Sequence, residues 1–132
     1  MNEKLESSIQ HSIIKRIKQM YPKSLVLKND SGYIQGIPDL QVIIHTHFGS
    51  IVAFLEVKRN KNAHHQPNQD YYVNQINEEG GFARFIYPEN TEDVLSDMRR
   101  YFNRALLGQE KQEEQKCLYL TTTKIMKEST PS

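Results

Sequence analysis

Cysteine is all but missing from this chain: Cys117 stands alone among 132 residues. No intrachain disulfide can form, which excludes a disulfide-stapled secreted scaffold and fits a reducing cytosol best. The lone thiol, set in a polar stretch, is expected to be inert. Tryptophan is absent, and no apolar run approaches the ~20 residues that a membrane-spanning helix needs. The opening residues, MNEKLESSIQ, lack the apolar segment of a secretory signal. A cytoplasmic protein without a membrane partner is the expectation. An excess of one charge is missing too, with 17 Lys and Arg against 16 Asp and Glu, a formal net charge of +1. That neither demands nor excludes nucleic acid, because a local basic face can sit beside an acidic metal site.

What is present is an ordinary globular balance, 37% hydrophobic and 25% charged residues, at a length that supports one core. Leu5, Ile9, Ile13, Ile17 and Met20 recur at helical spacing and predict a first helix over 3–20, stopped by Pro22. LVLKN (25–29) reads as a short strand, and NDSGYIQGIP as a loop. DLQVIIH (39–45) and IVAFLEVKR (51–59) read as two strands joined by a glycine-containing hairpin turn. A polar loop leads to a helix over 68–79, ended by Gly80 and Gly81. FARFIY (82–87) follows as a strand. A helix over 90–108 follows it, with Thr91 as N-cap and acids in its first turn. After Gly108 the polar run can extend that helix, CLYL (117–120) can pack against a neighbouring surface, and the last residues are expected to be disordered. The division is a core domain over 1–108 and a C-terminal tail over 109–132, partly ordered or packing at a dimer interface. The order α-β-β-β-α-β-α predicts an α/β fold, a small mixed sheet flanked by helices.

The informative stretch is GIPDLQVIIHTHFGSIVAFLEVKRN, residues 36–60. Residues two apart share a strand face, so Glu56 and Lys58 point one way with Val52 and Phe54, and Ile51, Ala53, Leu55 and Val57 point the other. A strand apolar on both faces is internal to its sheet. Charges there are partly desolvated and need partners. Asp39 opens the preceding strand, where hairpin pairing can bring its carboxylate close to that of Glu56. Two adjacent carboxylates repel unless a cation lies between them. Hard oxygen ligands suit Mg²⁺ or Mn²⁺, with water and a substrate phosphate completing the octahedron, and the Val57 carbonyl can add an oxygen. Lys58 is then placed to orient or deprotonate an attacking water, or to stabilise charge on a phosphorus centre. The bland alternative is a structural ion pair near a sheet edge.

Two more residues interrupt apolar stripes. At about 100° per residue, Glu6 falls in the arc between Ile13 and Ile17, with Glu3 and Gln10 at its edge. Glu6 is either a third carboxylate reaching the metal or a solvated residue of a frayed first turn. Gln69 shares a face with Tyr72, Val73 and Ile76. It can bond Lys58, a water or a DNA phosphate, or it can serve the local backbone.

These residues resemble the PD-(D/E)XK nuclease superfamily, and most closely its VRR-NUC (virus-type replication-repair nuclease) branch. The resemblance is carried by GIPDL (36–40), EVK (56–58), the helix with Gln69 ending at GG (80–81), the N-terminal pattern from Glu6 to Ile13, and SGYIQG before the proline. It covers about residues 3–90. It implies a restriction-endonuclease-like core and a Mg²⁺- or Mn²⁺-dependent endonuclease that hydrolyses DNA phosphodiesters. Asp39 and Glu56 would be metal ligands with the Val57 carbonyl, Lys58 the catalytic lysine, Glu6 the helix carboxylate and Gln69 the supporting glutamine. Lys28, Arg59, Lys61, His64 and His65 are the candidates for contact with DNA. By analogy with minimal Holliday-junction resolvases, the resemblance implies a homodimer acting on branched DNA, of phage or bacterial origin.

Two other classes compete. His45, His47, His64 and His65 invite a histidine-based metal site, but paired cysteines are absent and these histidines fall near turns. A catalytically silent nuclease fold that only binds DNA or a partner would predict loss of Asp39 or Lys58, and both are present.

Overall fold

The computed structural model describes residues 2–30, 32 and 34–128. The expected disorder of the last residues, and Ser31 and Tyr33 of the SGYIQG loop, lie outside these. The elements are α1 (Asn2–Met20), β1 (Leu25–Lys28), β2 (Leu40–Thr46), β3 (Gly49–Val57), α2 (Pro67–Glu78), β4 (Phe82–Ile86) and α3 (Thr91–Glu128). One mixed sheet has the order β1-β2-β3-β4, antiparallel except for the parallel pair β3–β4, whose return path is α2. This is the predicted α/β layout, with the two strands of the 36–60 stretch in its interior.

The hairpin between β2 and β3 is tighter than the five-residue turn read from the sequence. Thr46 pairs with Gly49, leaving only His47 and Phe48 in the turn. Gly49 has a φ of +127°, which L side chains rarely adopt, and the Thr46 hydroxyl donates to the Gly49 carbonyl at 2.6 Å.

The core lies on one sheet face. Leu40, Val42, Ile51, Ala53, Leu55, Val57, Phe82 and Ile86 meet Ile13 and Ile17 of α1 and Val94, Leu95, Met98 and Phe102 of α3. The α1 stripe is buried from its second half. Leu5 is 52% exposed. Helix α2 covers the β3–β4 side of the opposite face. It is tied down by Asn77, which exchanges hydrogen bonds with both the N–H and the carbonyl of Ala83 at 2.9 Å. Gly80, at φ +88°, ends that helix as predicted.

Thr91 does not cap α3 as expected. Pro88 starts a single 3-10 turn over Pro88–Asn90, so Thr91 is already helical and its hydroxyl donates back to the Tyr87 carbonyl at 2.7 Å. Nor does α3 stop at Gly108: it runs unbroken for 38 residues. One interior glycine costs a helix only about 1 kcal/mol relative to alanine, and the Gln, Glu and Lys that follow are good helix formers. The CLYL segment is largely exposed, with Leu118, Tyr119 and Leu120 at 67%, 70% and 57% exposure. Among the described residues no helix is long and apolar enough to cross a membrane.

Candidate active site

The hairpin register runs from Thr46↔Gly49 to Leu40↔Leu55, so the next pair outward is Asp39 opposite Glu56. Asp39 sits just before β2, and β1 braces it from the other side. There the Asn29 N–H donates to the Asp39 carbonyl at 2.7 Å, and the Asn29 amide donates to the Pro38 carbonyl at 2.7 Å. Two backbone amides then aim the acids at each other. The Val57 N–H donates to Asp39 Oδ2 at 2.9 Å, and the Asp39 N–H donates to Glu56 Oε2 at 3.2 Å.

Burial makes this arrangement costly for two negative charges. Glu56 is 3% exposed, and burial followed by the Asp39 charge pushes its carboxyl up to about 8, against the opposing pull of Lys58. Asp39 is also raised by burial, and the Val57 N–H, Glu56 and Lys58 counter that in part. The pair therefore holds a proton where isolated carboxyls would be ionised, unless a cation takes its place.

Lys58 follows directly on β3, and its N–H extends the sheet ladder to the Ile86 carbonyl at 2.8 Å. Its ammonium is buried, 7% exposed, and donates to Gln69 Oε1 at 2.7 Å and to the His64 carbonyl at 3.1 Å. Of its three donors one remains without a protein partner among the described residues. Gln69 is pinned at both ends of its amide. Oε1 accepts from Lys58 and from the Gln66 N–H at 3.0 Å, and Nε2 donates to Glu56 Oε1 at 2.8 Å. The Gln69 N–H in turn donates to the Gln66 carbonyl at 3.0 Å, so the two residues bond reciprocally at the start of α2. Gln69 thus serves the lysine and the local backbone at once, the two readings the sequence leaves open.

The structure brings Asp39, Glu56, Val57, Lys58 and Gln69 together. Glu6 is half-buried and lines a cleft of ≈ 230 Å³ with Ser7, Gln10, Asp39 and Val57. Among the described residues no three His, Cys, Asp or Glu side chains converge as a metal-binding group. For the same reason the histidines form no metal centre of their own. Lys28 ends β1 at the Asp39 side of the sheet and is exposed. Half-buried Arg59 and exposed Lys61 and His64 follow Lys58 in the same loop. His65 is held differently: its ring stacks on Phe85 at 3.8 Å between centroids, and its Nδ1 lies 3.1 Å from Asp70 Oδ1.

Several contributors are not announced by the sequence: Ser7, Asn29, Gln66, the His64 carbonyl and Phe85. Gln66 alone carries a local signal, as the residue that precedes Pro67 at the first helical position. The loop before the site is fixed by Gly36. At φ +88° it lies so close to α2 that an added Cβ would sit 2.4 Å from Asn68 Cβ.

Comparison with solved structures agrees with this architecture. A chain described as "VRR_NUC domain" superposes with a TM-score of 0.58 at 22% identity, covering 70% of this chain and 95% of that one. A second, "VRR_NUC domain protein", gives a TM-score of 0.54 at 18% identity, covering 74% and 88%. The chain has the VRR_NUC fold. This is a PD-(D/E)XK-like fold, the class expected from GIPDL and EVK. No family model and no curated protein matches the sequence. Within the VRR_NUC fold of this chain, the acids occupy the ends of two adjacent strands and the lysine leaves the second of them.

Proposed function

We propose that this protein is a VRR-NUC nuclease, a Mg²⁺- or Mn²⁺-dependent endonuclease that hydrolyses DNA phosphodiesters. The observation that carries the proposal is the Asp39–Glu56 carboxyl pair, buried and raised, beside an ammonium held by Gln69. The donor set fits a hard divalent ion. Asp39 lines a cleft together with Val57, Glu56 is buried behind it, and the two carboxylates supply oxygen only, leaving positions for water and phosphate. A bound divalent ion would polarise the scissile phosphate and make a bound water more acidic.

The chain's own residues do the rest. Asp39 and Glu56 would hold the ion, which requires both carboxyls ionised and so the loss of the proton that burial favours. Gln69 presents its donor face to Glu56 and its acceptor face to Lys58, so the carboxylate and the ammonium are oriented by a single side chain. Lys58 keeps one N–H for the attacking water or a phosphate oxygen. Lys28, Arg59, Lys61 and His64 surround this end of the sheet with positive or polar groups suited to the phosphate backbone.

The reading extends to branched DNA and to a homodimer that pairs two sites on opposed strands, in a bacterial or phage-infected cytoplasm. Exposed Leu107, Leu118, Leu120 and Ile125 on α3 favour self-association. Incubation with four-way-junction, flap, nicked and supercoiled DNA, with Mg²⁺, Mn²⁺ or EDTA, tests the activity. Metal-dependent scission that disappears in Lys58→Ala is expected; binding without scission of any of these DNAs would reduce the protein to a DNA-binding module.

A further inference from the structure

At the end of β4 remote from Lys58, a cleft of ≈ 750 Å³ lies between the Gly80–Gly81 turn, Phe82 and the outer side of α3. It is apart from the candidate active site, since Phe82 opens β4 opposite Ala53 in the middle of β3, whereas Glu56 lies near the end of β3 and Lys58 just beyond it. Three arginines line it, Arg84, Arg100 and Arg104, against one acid, Asp97. Only one of the three charges is neutralised there, because Arg100 pairs with Asp97. Arg84 is held by neutral acceptors, donating to Asn77 Oδ1 at 2.9 Å and to the Ala83 carbonyl at 2.8 Å, with its guanidinium 4.3 Å from the Phe82 ring centre. Arg104 is exposed and has no acidic partner among the described residues. Beside them the half-buried Tyr101 ring lies 5.4 Å from that of Phe82.

An excess of two guanidinium charges in a chain whose net charge is only +1 is a local concentration of positive potential. Planar guanidinium groups match phosphate oxygens, and an aromatic wall accepts a base face. The volume is that of a small-molecule site rather than of a single oxyanion. Part of the cluster also has a local role, since Arg84 complements the negative end of α2 through Asn77. That role uses none of Arg104, and it leaves the Arg84 charge uncompensated.

We propose that the Arg84–Arg100–Arg104 cleft, with Tyr101, is a second nucleic-acid site that takes a nucleotide of a DNA strand away from the scissile phosphodiester. This rests on the nuclease reading for its choice of DNA. The cleft makes the chain grip DNA at both ends of its sheet, so that a strand long enough to reach it, about a dozen nucleotides, engages groups that a strand of a few nucleotides at the active site does not.

Binding is measured in EDTA, without cleavage, by fluorescence anisotropy with a labelled single strand of about a dozen nucleotides. Wild type is compared with Arg104→Glu and with the Arg100→Ala/Arg104→Ala double variant, both on an exposed helix face and checked by circular dichroism. The expected result is a roughly tenfold loss of affinity and a fall of about 0.7 in the log–log salt slope for each phosphate no longer neutralised. Competition with deoxyadenosine monophosphate separates two sources of the same chemistry. Displacement of the strand at millimolar levels assigns the cleft to free nucleotides, and no displacement assigns it to a polymer. Unchanged affinity and salt slope in both variants, or no binding of either probe to wild type, overturns the proposal. Metal-dependent cleavage of short strands persists in these variants if only the cleft fails, and is absent from wild type if the nuclease reading fails.

Discussion

Gln69 donates its Nε2 to Oε1 of Glu56 at 2.8 Å, so a helix residue sets the orientation of a strand carboxylate. The orientation of the amide is decided by chemistry, since its other end accepts from the Lys58 ammonium and from the Gln66 N–H, which only an oxygen can do. Gln69→Glu removes the donor and sets a third carboxyl against the buried pair. Cleavage is expected to slow roughly 10- to 100-fold, the usual cost of losing a residue that orients a metal ligand, with weaker Mg²⁺ half-saturation. Unchanged rate and half-saturation would remove Gln69 from the site.

The raised Asp39 and Glu56 carboxyls couple folding to pH. Unfolded, Glu56 ionises near the ordinary carboxylate value of 4.5; folded, it does so at about 8. Between these values the folded chain binds more protons than the unfolded one, so stability falls as pH rises through the window. The metal-free protein should therefore melt at a lower temperature at pH 9 than at pH 6, as far as this pair contributes. Mg²⁺ should restore much of the difference, because it binds the ionised pair. Asp39→Asn removes one charge and should flatten the pH dependence; a melting curve as steep in that variant as in wild type would show that other groups set it.

Gly36 has no room for a methyl group. Gly36→Ala adds a Cβ at 2.4 Å from Asn68 Cβ in a backbone conformation of φ +88°. Either the loop or the start of α2, which carries Gln69, must move. A destabilisation of at least about 1–3 kcal/mol is expected from the backbone strain alone, with reduced cleavage. Wild-type melting temperature and rate together would contradict the close approach.

His65 holds the loop whose neighbouring carbonyl, that of His64, accepts from Lys58. Its ring stacks on Phe85 and faces Asp70. His65→Ala is expected to lower stability by about 0.5–1.5 kcal/mol and to slow cleavage while leaving Mg²⁺ affinity intact, since no metal ligand is touched. His65→Phe keeps the stack and should recover most of the stability. Equal stability of the alanine and phenylalanine variants would show that the stack contributes nothing.

How much of this is legible in the sequence depends on the range of each interaction. The approach of Asp39 to Glu56 follows from hairpin pairing, which alternation and one glycine turn announce. The Lys58–Gln69 bond follows less directly, from a polar residue on a packing stripe. The approach of Gly36 to Asn68 and the Asn29 brace involve segments whose packing no periodicity encodes. Leu5 belongs to the apolar stripe of α1 yet is exposed, because periodicity reports which face is apolar, not how far the neighbouring surface extends. The continuation of α3 beyond Gly108 is undecided by sequence, because one glycine is a weak stop and the Gln-Glu-Lys run favours helix without any core to reward it.

The proposed activity depends on one central claim, that Asp39 and Glu56 together hold one divalent ion. Calorimetric titration of Mn²⁺ into the metal-free protein near neutral pH, in two buffers of different ionisation enthalpy, tests it most directly. One ion per chain is expected, bound with release of a proton from the pair, and Asp39→Asn and Glu56→Gln should each abolish or greatly weaken binding. Binding of equal affinity and stoichiometry in both variants, with no proton released, would contradict it.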